Sequence, residues 1–243
     1  MKTELVSMVA LELRSPLTSI SGFSELLLDA DITKEQSDEY ASIIVKEANR
    51  LSDLINKFLD ISRIESGRIQ PNKTKLDIQE IVQMVVGNNS YLASRKRITV
   101  EIHQITQSLH VMADSGMMEQ VFLNLFSNAI KYSPENTRID FVFKASNNYI
   151  IVEVHDQGYG MPAKSLTKIF EKFYRVTEND KVREIPGSGL GLPLVKQIIE
   201  MHNGHIEVES ELDRGSVFSV YLPRYNAQQT VLLEQDDFNK IIH

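Results

Sequence analysis

The apolar residues change period once along this chain, near residue 70, and that change limits what it can fold into. Between residues 4 and 69 they recur at three- and four-residue steps, and no strand pattern interrupts them. Val6, Val9, Leu13, Leu17, Ile20 and Leu27 form one stripe, and Tyr40, Ile44, Ala48, Leu51, Ile55 and Phe58 form another. Each spacing is that of an amphipathic helix. A break near Asp29-Ala-Asp-Ile-Thr33 makes the pair a helical hairpin. Two helices cannot bury both stripes alone, so a second hairpin is expected, giving a four-helix bundle and a homodimer. Gly67 and Pro71 mark a linker.

From Leu76 onward the pattern alternates. Strand-like runs cover 98–103, 109–113, 138–144, 150–155, 205–209 and 217–222, and helix-like runs cover 78–94, 116–132 and 190–202. Asn147-Asn148 between two apolar runs reads as a hairpin turn. The fold class is α+β, with helices packed on one face of a sheet. The segment Met161–Pro186 is long and mixed in composition, and a mobile lid is expected there.

Five of the eleven glycines lie in two tight clusters within this second part. The first reads Asp156-Gln-Gly158-Tyr-Gly160-Met-Pro162, and the second Gly187-Ser-Gly189-Leu190-Gly191-Leu192 at the mouth of an apolar helix. Glycine lets backbone N–H groups approach a ligand, and an N–H-rich helix start favours an anion. No lysine follows the last glycine, which argues against a P-loop, and the cluster does not follow a first strand as a dinucleotide fingerprint would. Upstream, Asn124, Asn128 and Lys131 share one face of a helix that Ser133-Pro134 stops. An amide oxygen suits Mg²⁺, and a lysine one turn on suits a phosphate. Read singly, these are also what a polar helix face with solvated asparagines looks like.

Composition narrows the alternatives. The chain of 243 residues has 42% hydrophobic and 24% charged residues, as soluble globular proteins do. Its net charge of −7 argues against a nucleic-acid surface. It has no cysteine, so disulfides and thiolate metal sites are excluded, and a reducing, cytoplasmic setting is expected. No apolar run reaches the roughly 18 residues of a membrane span, and no signal peptide is visible.

Taken in order, Asn128, Asp156-x-Gly-x-Gly, Phe170-Glu-Lys-Phe173-Tyr-Arg175 and Gly187-x-Gly-x-Gly-Leu resemble the N, G1, F and G2 boxes of bacterial sensor histidine kinases. These belong to an ATPase superfamily shared with gyrase, and the resemblance covers residues 4 to 224. It implies a hairpin dimerisation domain over residues 1–70 and an ATP-binding α/β sandwich over residues 71–224. It also implies Mg·ATP as ligand. Asp156 would accept a hydrogen bond from the adenine amino group, and Gly158 and Gly160 would form the turn beside it. Asn128 would hold Mg²⁺. Asn124, Lys131, Tyr132 and Arg175 would approach the phosphates or ribose, and Gly187, Gly189, Leu190 and Gly191 would offer backbone amides.

The family carries its phosphate-accepting histidine in a His-Glu-x-x-x-Pro pattern. The matching stretch here is Leu11-Glu12-Leu13-Arg14-Ser15-Pro16, with Leu11 at the acceptor position. Helical geometry puts position 11 opposite the stripe, on a face shared with Glu4, Ser15 and Thr18. Leucine has no nucleophile, so self-phosphorylation at position 11 is not expected. Glu12 matches the residue that takes or orients the acceptor's proton, and Ser15 the position that positions water for dephosphorylating a response regulator. Two readings stay open: a two-component kinase crippled at its own acceptor, and a pseudokinase whose ATP-gated shape regulates a partner histidine kinase or response regulator. The six histidines offer no replacement; His155, His202 and His205 read as structural. In the tail, residues 225–243, Thr230–Phe238 resembles the opening strand and acidic pair of a receiver domain, and a disordered or partner-binding tail is the other reading.

Overall fold

The computed structural model describes residues 2–29, 31–176, 180–183 and 185–225. The receiver-like stretch Thr230–Phe238 lies outside them. The hairpin is α1 (Lys2–Leu26) and α2 (Lys34–Glu65). A capping box starts α2: the Gln36 N–H donates to Thr33 Oγ1 (3.2 Å) and the Thr33 N–H to Gln36 Oε1 (3.0 Å). Its end is a Schellman turn. Gly67 takes φ +67°, its N–H donates to the Ile64 carbonyl (2.9 Å), and the Arg68 N–H donates to that of Arg63 (3.0 Å). Pro16 sits inside α1, so the Glu12 carbonyl loses its intrahelical donor.

The stripes differ from the sequence reading at particular positions. Leu17 and Ile55 are 51% and 41% exposed, while Leu54 and Ile61, outside the expected stripe, are buried to 3% and 1%. One helix here serves two neighbours. Residues 54, 58 and 61 form a second apolar line that joins the core of the following domain.

That domain begins at β1 (Thr74–Asp77), a strand the sequence reading left within the run to α3 (Ile78–Ser94). It pairs antiparallel with β3 (His110–Ala113) in a two-stranded sheet. The main sheet has five strands in the order β2 (Thr99–His103), β4 (Arg138–Ala145), β5 (Tyr149–Asp156), β7 (Gly215–Pro223), β6 (His205–Glu211). The β2–β4 pair is parallel and the others antiparallel. The hairpin expected at Asn147-Asn148 joins β4 and β5. With α4 (Ser115–Tyr132) and α7 (Gly191–Met201), α3 packs on one face. Phe122 and Phe126 of α4 are fully buried, and Phe126 meets Phe141 of β4 edge-on at 5.7 Å between centroids. This is the helical hairpin followed by an α/β sandwich that the sequence implies.

The segment expected as a lid holds two short helices, α5 (Ala163–Leu166) and α6 (Asp180–Arg183). Its described part is anchored: Ile169, Phe173, Val176 and Val182 are all buried.

Candidate functional site: a cationic cavity between α4, α7 and the hairpin

One cavity, about 340 Å³, collects Asn124, Asn128, Lys131 and Tyr132 from α4, Asp156 from the end of β5, Arg175 from the lid, and Gly160, Gly187, Gly189 and Gly191. That volume lies within the range of about 300–1,000 Å³ usual for small-molecule sites. Local capping aims α4. The Met117 N–H donates to Asp114 Oδ1 (3.0 Å) at its start. At its end the Lys96 ammonium donates to the carbonyls of Ile130 (2.8 Å), Lys131 (3.0 Å) and Ser133 (3.0 Å), where the helix dipole favours a cation. The Tyr159 N–H donates to the Tyr132 carbonyl (3.1 Å), which ties the first glycine cluster to the same helix end.

Asp156 is held by one oxygen. Its Oδ1 accepts from the N–H groups of Gly158 (2.8 Å) and Ser216 (3.2 Å), and no hydrogen bond to Oδ2 is present among the described residues. Burial pushes its carboxyl up to about 6, against the pull of those N–H groups and of His155. A Cβ at Gly158 would lie 2.6 Å from Asp156 Oδ1 and 2.7 Å from the Tyr132 carbonyl oxygen, so only glycine lets this turn close.

The other glycines divide by purpose. Gly160 (φ +60°) and Gly189 (φ +66°) pack on backbone: a Cβ would fall 1.9 Å from the Glu211 carbonyl oxygen and 2.7 Å from Phe173 backbone atoms, respectively. Gly187 and Gly191 instead admit side chains of α4. Their Cβ atoms would meet Lys131 Nζ at 2.5 Å and Asn124 Oδ1 at 3.1 Å. Leu190, the N-cap of α7, provides no side-chain cap, so the first N–H groups of that helix have no side-chain acceptor there.

Asn124 donates through Nδ2 to the Gln120 carbonyl (2.8 Å), which leaves its oxygen toward Gly191. Asn128 makes no side-chain hydrogen bond among the described residues. Arg175 donates to the carbonyls of Ile185 (2.6 Å) and Arg183 (3.3 Å) and so braces the lid. Burial, helped by Arg175, Lys57 and Arg50 and opposed by Asp53, pushes the Lys131 ammonium down to about 8. Burial likewise raises the Tyr132 phenol.

Sequence reasoning missed one wall altogether. Arg50, Asp53, Leu54 and Lys57 of α2 also line the cavity. Their spacing of three and four placed the three charged side chains on one helix face, a legible signal, but nothing local said what that face meets. Conversely, Leu11, Glu12 and Ser15 do not line the cavity. Leu11 is 62% exposed, Ser15 is exposed and Glu12 is half-buried on α1. Two of the histidines are tied into the fold: His202 Nε2 accepts from the Asp114 N–H (3.0 Å) while Nδ1 donates to the Ile198 carbonyl (2.7 Å), and His155 pairs with Glu153 (2.9 Å).

A buried carboxylate, an unpartnered amide and a set of cations around a helix start are a fitting donor set for adenine, a hard divalent cation and phosphates. Comparison with known proteins agrees. Residues 1–67 match the His Kinase A (phospho-acceptor) domain, and residues 113–226 match the histidine kinase-, DNA gyrase B- and HSP90-like ATPase domain. The chain is 29% identical over 236 residues to the sensor-like histidine kinase SenX3 of Mycolicibacterium smegmatis, covering 97% of this chain and 61% of the relative. It is 33% identical over 225 residues to the sensor protein kinase WalK of Staphylococcus epidermidis, covering 91% of this chain and 36% of the relative. It therefore spans between about a third and three-fifths of the length of these curated relatives. Among solved structures, histidine kinase ThkA in complex with response regulator protein TrrA superposes with a TM-score of 0.75 at 26% identity, over 91% of this chain and 61% of that one. Acinetobacter baumannii histidine kinase AdeS shares the fold, with a TM-score of 0.73 at 22% identity, over 88% of this chain and 98% of that one.

The fold and the matched domains define an ATP-binding module of the ATPase type with a helical hairpin attached. The chain carries the two domains of a two-component histidine kinase catalytic core, the phospho-acceptor-type hairpin and the ATPase domain. No helix among the described residues is long and apolar enough to cross a membrane.

Proposed function

We propose that this core binds Mg·ATP in the cavity between α4 and α7 and works as a cytoplasmic homodimer, with a response regulator or a partner histidine kinase as its target. The observation that carries the nucleotide reading is the convergence of Asp156, Asn128 and Lys131 on one cavity closed by the two glycine clusters. The Oδ2 of Asp156, which accepts no hydrogen bond among the described residues, accepts the adenine amino hydrogen, with Gly158 and Gly160 shaping the turn behind it. Asn128, whose amide has no hydrogen-bond partner among the described residues, is the Mg²⁺ ligand. Asn124 through its oxygen, Lys131, Tyr132 and Arg175 face the phosphates or ribose, and the loop of Gly187, Gly189, Leu190 and Gly191 offers them N–H donors. Bound Mg·ATP supplies the transferable phosphoryl group; the protein's part is orientation and charge neutralisation.

Leu11 takes the acceptor position on the exposed face of α1, with Glu12 beside it and Ser15 one turn on. A leucine side chain has no lone pair to attack phosphorus. Its own chain therefore gains no phosphohistidine there, and Ser15 retains a hydroxyl able to orient water. A pseudokinase role is the second reading, favoured by the same observation: an ordered nucleotide cavity beside an acceptor position that holds leucine. Partner choice follows the ThkA complex, whose second component is a response regulator. Dimerisation follows the other exposed apolar residues of the hairpin, Leu17, Val45, Ile55 and Leu59.

Calorimetry with Mg·ATP tests the reading: a heat of binding in the parent, lost in Asp156→Asn, is expected. An absence of heat at millimolar nucleotide refutes it. Light scattering should return about twice 27.7 kDa; a monomeric mass at tens of micromolar refutes the dimer.

A further inference from the structure

The α2 wall of the cavity is not accounted for by the ATP-binding domain alone. Four cationic side chains line the cavity, Arg50 and Lys57 from the hairpin and Lys131 and Arg175 from the domain, against the carboxylates of Asp53 and Asp156. A chain of net charge −7 thus gathers a positive surplus in one place. The surplus is felt: Arg175, Lys57 and Arg50 all add to burial in depressing the Lys131 ammonium, and only Asp53 opposes them. Like charges brought together across two structural units oppose closure, and a polyanion between them reverses the sign. The hairpin wall is held without any ligand by contacts further along α2. Glu65 pairs with Lys172 (2.6 Å) and accepts from Gln197 (2.9 Å), and Gln120 donates to Asp60 (3.3 Å). Leu54, buried to 3%, seats α2 at the cavity itself.

We propose that Arg50 and Lys57 complete the polyphosphate site, so that a nucleoside triphosphate clamps α2 of the hairpin onto the ATP-binding domain. The inference rests on the cavity being the nucleotide site. Within the wall, Lys57 is paired with Asp53 (2.9 Å) and Arg50 with Glu47 (3.3 Å), so both cations are positioned before ligand arrives. A ligand shifts the open–closed balance only by its differential affinity for the two states, and these two cations supply that difference. The terminal phosphate carries most of the charge available to them, so the clamp distinguishes triphosphate from diphosphate. Asp53 works against the clamp by competing for Lys57.

The test uses the full chain, whose lack of cysteine allows clean labelling. Spin labels at Lys46→Cys on α2 and Asn147→Cys in the β4–β5 turn, both exposed positions, report the distance between the two units. Mg·ATP should narrow the distance distribution, and Mg·ADP should do so less. Arg50→Gln with Lys57→Gln should weaken ATP about tenfold, the loss of charge-assisted contacts worth about 1.4 kcal/mol, change ADP less, and abolish the narrowing at saturating ATP. Asp53→Asn should tighten ATP, a gain that misfolding cannot produce. Unchanged ATP affinity and narrowing in the double variant, or unchanged or weaker binding in Asp53→Asn, overturns the clamp while leaving the nucleotide site intact. If the parent binds no ATP, the nucleotide reading fails and the clamp fails with it.

Discussion

Asp156→Asn should stabilise the empty protein at neutral pH while abolishing nucleotide binding. Burial raises the Asp156 carboxyl from 3.8 to about 6. Between those values the folded protein holds a proton that the unfolded chain has lost. Stability from this group is therefore greatest at acid pH, falls as pH rises from about 4 to 6, and stays low above 6. At about 1.4 kcal/mol per pH unit, the full difference is at most about 3 kcal/mol, and the cavity's access to solvent reduces it to about 1–2. Asparagine keeps the oxygen that accepts from Gly158 and Ser216 and removes the charge. At about 2–4 °C per kcal/mol for a chain of this size, the variant should melt several degrees above the parent at pH 8. The gap should close toward pH 4. Nucleotide should raise the parent's melting temperature and leave the variant's unchanged, since the new amide presents a donor where adenine also donates. Thermal melts across pH 4–8, with and without Mg·ADP, measure both arms. A variant that melts lower at pH 8, or a gap independent of pH, refutes the account of Asp156 as a buried carboxylate held at a cost to stability for binding.

Other outcomes follow from the same geometry. Gly160→Ala combines a φ of +60° with a Cβ that would collide with the Glu211 carbonyl oxygen, so a loss of about 2–4 kcal/mol in denaturant unfolding is expected, whereas Gly22→Ala, inside α1 with nothing within 4 Å, should be neutral or stabilise by up to about 1 kcal/mol. Lys131, pushed down to about 8, should regain its proton when phosphates arrive; calorimetry at pH 8 in buffers of different ionisation enthalpy should show proton uptake on ATP binding, absent in Lys131→Gln. Leu11→His should take acid-labile, base-stable label from ATP where the parent takes none, and a parent that labels equally well refutes the assignment of position 11.

Much of the ATP-binding domain was legible because its signals are local. Asp77 and Asp114 cap α3 and α4, and Ser133-Pro134 stops α4, so the expected bounds of these helices fall within a residue of the observed ones. The six expected strands follow runs of β-branched and aromatic residues. What was not legible depends on distant partners. The four residues of β1 pair with β3 across α3, and nothing in Thr74–Asp77 announces it. Gly160 is glycine because Glu211, 51 residues on, passes against it. The α2 wall needed the docking of the hairpin, which Leu54 and Ile61 record only once the second apolar line is separated from the first. Asn124, Asn128 and Lys131 were placed together correctly because helix periodicity alone puts them on one face.

The docked hairpin also bears on where a phosphate can go. The cavity meets α2, whereas Leu11 and Ser15 lie exposed on α1 and line no part of it. On the proposed reading, transfer within one chain to that face of the hairpin would need α2 to leave its seat. Leu54 and Ile61 then return to water, at about 1.5–3 kcal/mol each, and the Glu65–Lys172 pair opens. The pivot is confined to a few residues. Asn72 is tied by its N–H to Asp114 (2.8 Å) and Lys73 by its ammonium to the Met201 carbonyl (2.8 Å), so movement falls between Gly67 and Pro71. Gly67 has open space around it and already takes a left-handed conformation, which suits a residue that must change its dihedrals. The cost of undocking, a few kcal/mol, is of the size that one ligand's differential affinity can supply or withhold. In the proposed clamp, the α2 cations and the apolar seat beside them act on one equilibrium, and the charge of a bound nucleotide sets which side of it the hairpin occupies.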